Sequence, residues 1–191
     1  MKPRLLMLAG PNGAGKSTFF STHLADKGLP FINADQIAAE LGIEAYEAAG
    51  IAEAIRVRLV NENASFITET VLSDPIGAKV ASLLQAHASG YDVTLIFIGL
   101  ASPDLSAGRV MARVQAGGHD VPLEKVMARY ERTLLNLERA IGLLPQVIIY
   151  DNSSFAKPYR FLAEFRSGQL HERTKNPIPP WAQRFFDHGK R

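Results

Sequence analysis

An α/β fold, with a parallel sheet of about five strands, helices on both faces and a helical lid, is what this sequence predicts. Three observations carry the prediction. Residues Gly10, Pro11, Asn12, Gly13, Ala14, Gly15, Lys16 and Ser17 form a glycine-rich loop of the pattern Gly-x-x-x-x-Gly-Lys-Ser. Short apolar runs alternate with stretches of helical periodicity, the pattern of βαβ units. Two arginine-bearing helical stretches flank the pair Gly117-Gly118, as the arms of a hinged lid would. The glycine loop lies between the apolar run Leu5-Leu6-Met7-Leu8-Ala9 and a helix opening at Ser17-Thr18-Phe19-Phe20. Strand, glycine loop and helix in that order specify a phosphate-binding loop, and so a P-loop NTPase fold.

The elements follow in order. The continuous apolar run 4–9 reads as a buried parallel strand, and 31–33, 66–69, 92–98 and 146–150 repeat the pattern. Helices are predicted over 16–24, 34–41, 44–63, 76–89, 103–115 and 123–141. Gly90 and Gly142 are placed to end the fourth and last of these, and Pro122 sits where a first helical residue is expected. Residues 103–141 are the expected lid. Residues 155–191 read as an irregular extension, in which the proline-rich run from Asn176 to Trp181 excludes a helix.

Bulk properties set limits. A length of 191 residues suits one domain, 1–191, with a single core. An apolar fraction of 47% and a charged fraction of 21% place it among ordinary globular proteins. The sequence has no cysteine, which excludes disulfides, thiolate metal sites and cysteine nucleophiles and suits a reducing cytoplasm, the expected location. Met1-Lys2-Pro3-Arg4 before an apolar run superficially resembles a signal peptide, but the run is too short and cleavage would destroy the phosphate loop. No segment is long and apolar enough to span a bilayer, so a membrane is not an expected partner. A net charge of +2 permits anionic substrates without arguing for nucleic acid, which is not the expected partner.

Ligands of open α/β sheets bind beyond the carboxyl ends of the strands, so the residues there carry the functional reading. Gly10 to Thr18 are expected to hold ATP, with Lys16 on the β- and γ-phosphates and the Ser17 hydroxyl on Mg²⁺. Asp35, just past the second strand, is placed either to accept the proton of an acceptor hydroxyl or, with Asn33 as the other candidate, to cap the following helix. Glu69 ends an otherwise apolar strand and is followed by Thr70; it is placed to bind acceptor hydroxyls, to help hold Mg²⁺ through water, or to stand solvated at the rim. Arg109 and Arg113 share a helix face, and Arg129, Arg132 and Arg139 follow the hinge. Arg113 and Arg129 are the candidates to neutralise charge in phosphoryl transfer; the alternative is pairing with Glu124, Glu131 and Glu138. His119 reads as a loop residue. Asn152, after the last strand, is placed near the nucleotide base by fold analogy, or in a simple turn. The chain has no Asn-Lys-x-Asp motif for guanine and no apolar strand ending in Asp-Glu, which favours a small kinase over a GTPase or motor ATPase.

The phosphate loop through Thr18 is accompanied by Phe31-Ile-Asn-Ala-Asp35, Glu69-Thr70 and Arg109-Val-x-x-Arg113-Val. Gly117-Gly-His-Asp-Val-Pro122, Arg129-Tyr130 and Tyr150-Asp-Asn-Ser153 follow in the same order. This combination resembles the zeta-toxin family of phosphate-loop kinases. The resemblance implies an ATP- and Mg²⁺-dependent kinase, a small-molecule hydroxyl acceptor such as UDP-N-acetylglucosamine, and an antitoxin protein as partner. It further implies that Lys16 binds the triphosphate, Asp35 is the base, Glu69 with Thr70 helps hold the acceptor, and Arg113 and Arg129 are lid arginines. The chain departs from the family in being compact and in carrying no basic residue between Thr70 and Asp74. A kinase of another metabolite or of a nucleic-acid end, and a nucleotide-dependent regulatory module without transfer chemistry, are the competing readings.

Overall fold

The computed structural model describes residues 2–115 and 121–186. Strands β1 (Arg4–Ala9), β2 (Phe31–Ile32), β3 (Phe66–Thr70), β4 (Asp92–Gly99) and β5 (Gln146–Asp151) are parallel, in the order β2-β3-β1-β4-β5. Two further strands, β6 (Arg160–Arg166) and β7 (Gln169–Arg173), extend the sheet antiparallel beyond β5, giving seven. Around it pack α1 (Lys16–His23), α2 (Ala34–Leu41), α3 (Ala45–Asn61), α4 (Ala78–Ala88), α5 (Pro103–Gln115), α6 (Leu123–Leu143) and α7 (Pro180–Gln183).

Alternate residues of the central strands feed the two faces. Met7, Leu95, Phe97, Val147 and Ile149 pack with Val80 and Leu83 of α4, Leu134 and Leu137 of α6, and Trp181 of α7. Leu8, Ile67, Ile96 and Ile98 pack with Phe19 of α1 on the opposite face. Each such side chain contributes about 1.5–3 kcal/mol on burial, which is why these runs are apolar without interruption. Buried hydroxyls find carbonyls. Tyr91 donates to Leu59 and Ala64, and Tyr130 donates to Leu100 at 2.7 Å; burial pushes the Tyr130 phenol up to about 12.

The C-terminal part corrects the sequence-based expectation. In place of an irregular extension there is a hairpin, closed by Ser167 and Gly168, both in the left-handed region (φ 47° and 80°). That is the two-residue turn whose twist matches the strands. Register shifts in β6 break the alternation a strand would show, and β7 is exposed throughout, so neither announces itself by periodicity. The proline-rich run also contains a helical turn, starting at Pro180, whose fixed φ suits a first helical residue. It seats Trp181 against Gly99, where a Cβ would stand 2.1 Å from the indole. Pro122 precedes α6 as its N-cap, and Gly142 lies inside the helix, which continues to Leu143 because the buried Ile141 and Leu144 anchor its end.

Candidate active site

β1 has β3 on one side and β4 on the other, while the chain after it travels first to the β2 edge and later back toward β5. The carboxyl end of β1 is therefore a topological switch point, where a crevice opens. The phosphate loop occupies it. Gly10, at φ 143°, has no room for a side chain, since a Cβ would meet the Ile98 carbonyl at 2.1 Å. Gly15, at φ 85°, caps α1 without a side-chain hydrogen bond, leaving the first amides of that helix open to an anion.

The Lys16 ammonium is buried and donates to the Gly10 and Pro11 carbonyls at 3.1 and 3.2 Å, with Glu69 at 3.7 Å. Glu69 also accepts from the Ser17 hydroxyl and from Asn33 Nδ2, each at 2.9 Å. So the carboxylate ending β3 is held against the loop's lysine and serine together. Asn33 is the cap of α2, accepting from the amides of Asp35 and Gln36, which frees the Asp35 carboxylate from that task. Asp35 stands exposed on the first turn of α2 and shares a recess of about 230 Å³ with Asn33, Glu69, Thr70, Arg56 and Lys79. The Thr70 hydroxyl accepts from the Leu72 amide and shapes the turn after β3.

On the far side, Asn152 Nδ2 donates to the Ala14 carbonyl at 2.8 Å, and the Tyr159 hydroxyl donates to that of Gly15 at 2.9 Å. The same hydroxyl meets the Thr18 side chain; burial pushes the phenol up against the opposing pull of that bond and of Arg109. Asn152 thus braces the loop from behind. Asp151, buried beside it, accepts from Trp181 Nε1 and Arg160, so the C-terminal segment ties into the brace. From α5, Ser106 donates to the Asn12 carbonyl and Arg109 packs on Gly13. The Arg109 guanidinium lies 4.7 Å over the ring of the exposed Phe155, and burial holds it below its ordinary range. Asn12 Oδ1 and Arg109 Nε are buried with no hydrogen-bond partner among the described residues, and both flank the loop. Of the two, the Arg109 Nε–H is a donor that a phosphate oxygen at the loop would satisfy.

The structure gathers Lys16, Ser17, Asp35, Glu69 and Thr70 around one crevice, with Thr18 and Asn152 on its phosphate-loop side. Arg113 stands exposed in the last turn of α5. Arg129 lines a different cleft, formed by residues 70–74, Lys79 and Arg132. The hinge Gly117-Gly118 and His119 lie outside the described residues. Glu131 and Glu138, expected as partners of lid arginines, face Arg184 at 2.6 and 3.6 Å. Sequence reasoning did not single out Tyr159, Lys79 or Arg109 for the site. Only Arg109 gave a signal, its i,i+4 spacing to Arg113.

Comparison with known proteins agrees with this architecture. A chain of the AvrRxo1-ORF1:-ORF2 complex, solved with ATP, superposes with a TM-score of 0.69 at 16% identity, over 89% of this chain and 60% of its own length. This chain therefore spans less than two thirds of that one. The PezAT toxin-antitoxin structure from Streptococcus pneumoniae gives 0.59 at 16% identity, over 95% of this chain and 75% of the other. A gluconokinase from Sinorhizobium meliloti 1021 gives 0.50 at 19% identity, over 82% and 85%. In sequence, an uncharacterized protein of Haemophilus influenzae is 28% identical over 136 residues, 68% of this chain and 94% of the relative. The family model described as AAA domain (AAA_33) matches residues 5–134, more than half of the chain and the whole path from β1 into α6. With its phosphate loop at the switch point of a P-loop fold, the chain belongs to this AAA domain family.

Proposed function

We propose that the protein is an ATP-dependent phosphotransferase that moves the γ-phosphate to a hydroxyl of a small-molecule acceptor. The observation that carries this reading is the pair of carboxylates at one recess: Glu69 is engaged with Lys16 and Ser17, whereas Asp35 is exposed and released from helix capping. The two carboxylates therefore have different tasks. Ser17 and Glu69 offer a hydroxyl and a carboxylate side by side, hard oxygen donors that fit Mg²⁺, a cation that needs few protein ligands beside phosphate and water. When bound, the ion would neutralise charge between the β- and γ-phosphates.

Lys16 holds the β- and γ-phosphate oxygens, and the open amides of Gly15 to Thr18 cradle the rest. Asp35 orients the acceptor hydroxyl and takes its proton as the oxygen bonds to the γ-phosphorus; the bond to the β–γ bridging oxygen breaks and ADP leaves. Arg113 is the lid arginine of this reading. UDP-N-acetylglucosamine is the first acceptor to try, on the motif resemblance, and an antitoxin protein is the partner that the likeness to PezAT supports. A cytoplasmic location goes with ATP use; no helix among the described residues is long and apolar enough to cross a membrane. Incubation with γ-labelled ATP and a panel of UDP-sugars, free sugars and oligonucleotides tests the reading. Label should pass to at least one small hydroxyl acceptor, and labelling of oligonucleotides alone would contradict it.

A further inference from the structure

Leu5 and Met7 of β1 pair with Phe66 and Thr68 of β3, two residues apart on each strand, so the four side chains share one face of the sheet. Helices α3 and α4 lie over that face without closing on each other. Between them is a cavity of about 280 Å³, floored by Leu5, Met7 and Phe66 and walled by Val60, Leu83 and Ala86. Asn61, Gln85 and Ser89, all exposed and uncharged, form its outer rim. At its inner end it continues into the Asp35 recess, because Met7, Arg56, Thr68 and Lys79 line both. An apolar cavity of about 150 Å³ admits a benzene ring, so the space here exceeds what one ring needs.

The polar groups at the seam of the two spaces are matched within the protein. Glu53 of α3 pairs with Lys79 of α4 at 2.7 Å and with Arg56, which also donates to the Thr68 hydroxyl at 3.3 Å. Thr68, fully buried, donates in turn to the Ile32 carbonyl at 3.1 Å. The charged groups lining both spaces are three carboxylates, Asp35, Glu53 and Glu69, and two cations, Arg56 and Lys79. Each of these cations is turned to Glu53, and Glu69 meets Lys16. Neither cation is left over to draw an anion inward, and neither of the two orphaned polar atoms among the described residues lies here. A ligand group entering from the recess therefore gains by burying apolar surface on the floor, not by pairing charge.

We propose that this cavity receives an apolar group of the acceptor, an aromatic ring or short branched chain carried by the same molecule that presents its hydroxyl to Asp35. The inference rests on the kinase reading for its meaning, but the cavity can be probed without turnover. Fluorobenzene, an uncharged ring, titrated into the full chain and followed by ¹⁹F NMR should bind saturably. Ala86→Met, which fills the space from its wall, should weaken that binding at least about tenfold. Leu170→Ser, in the C-terminal hairpin, should leave it unchanged. Should Ala86→Met not fold, Ser82→Leu narrows the same cavity from an exposed lining position. With an acceptor identified by label transfer, fluorobenzene should raise the KM of the acceptor and leave that of ATP unchanged. Each methylene removed from the apolar group of that acceptor should raise its KM about fourfold, the worth of one buried CH₂. No saturable binding, binding that survives both cavity substitutions, or bound fluorobenzene that leaves the acceptor KM unmoved would each overturn the inference. Failure of every hydroxyl compound to accept label contradicts the kinase reading instead, and loss of fluorobenzene binding in Ala86→Met still reports the cavity by itself.

Discussion

The two sides of the crevice are built differently. On one side the phosphate loop is fixed by backbone geometry and by side chains that arrive from distant sequence: Asn152, Tyr159, Ser106 and Arg109. Its lysine, its serine and several of its carbonyls are engaged within the protein, the first amides of α1 stay open, and the orphaned Arg109 Nε lies beside the loop. On the side proposed for the acceptor the groups are half-buried or exposed charges on separate helices, Asp35 on α2, Arg56 on α3, Lys79 on α4, and Arg129 and Arg132 on α6. On the proposed reading a common phosphate donor is met by a fixed cradle, whereas an acceptor is distinguished by side chains that reach the recess from separate helices. Substitutions should therefore act on one side through positioning and on the other through chemistry and selectivity.

The largest effect is expected from Lys16→Ala. It removes the charge that Glu69, Gly10 and Pro11 hold at the loop, and transfer should fall by more than about 10⁴-fold with weakened ATP binding. Label-transfer assays with parallel ATP titration would show it, and near-normal turnover would break the distinction at its root.

Tyr159→Phe probes the brace alone. It deletes the hydrogen bond to the Gly15 carbonyl, worth about 0.5–1.5 kcal/mol, so ATP affinity should drop by roughly two- to tenfold. The acceptor KM should stay put. A change in acceptor KM larger than that for ATP would mean that the two sides are not separable.

The smallest effect concerns Glu53 on the acceptor side. Burial pushes its carboxyl up, but hydrogen bonds from Lys79 and Arg56 outweigh this and hold it at about 2 against an ordinary 4.5. A depressed folded-state value means that the stabilisation is present above about 4.5 and is lost as pH falls toward 2. The carboxylate is half exposed, so solvent screens much of it. In denaturant titrations Glu53→Gln should show a shallower loss of stability over that acid range than the wild type. Equal slopes would mean that the cluster is not held together by charge.

The same division explains what was legible in the sequence. The loop, the parallel strands and the strand-end carboxylates were readable because each rests on local chemistry: glycines at positive φ, continuous apolar runs, an Asn-x-Asp helix start. The sequence offers Asn33 and Asp35 as alternative caps, and the structure assigns the cap to Asn33. The hairpin of β6 and β7 was not readable by periodicity, since a bulged strand and an exposed edge strand bury no regular face; only Ser167-Gly168 marked it. Tyr159 and Lys79 were invisible for another reason. Their partners, Gly15 and Glu53, lie 144 and 26 residues away, and no local pattern encodes a long-range hydrogen bond.

The central claim is that Asp35 does chemistry rather than architecture, and Asp35→Asn measures it most directly. Asn33 already caps α2, so the substitution should leave thermal stability and ATP affinity close to wild type. With an acceptor identified by label transfer, kcat should fall by roughly 10²–10⁴, the usual effect of removing a general base. A variant that melts earlier but turns over at the wild-type rate would contradict the account and return Asp35 to a structural role.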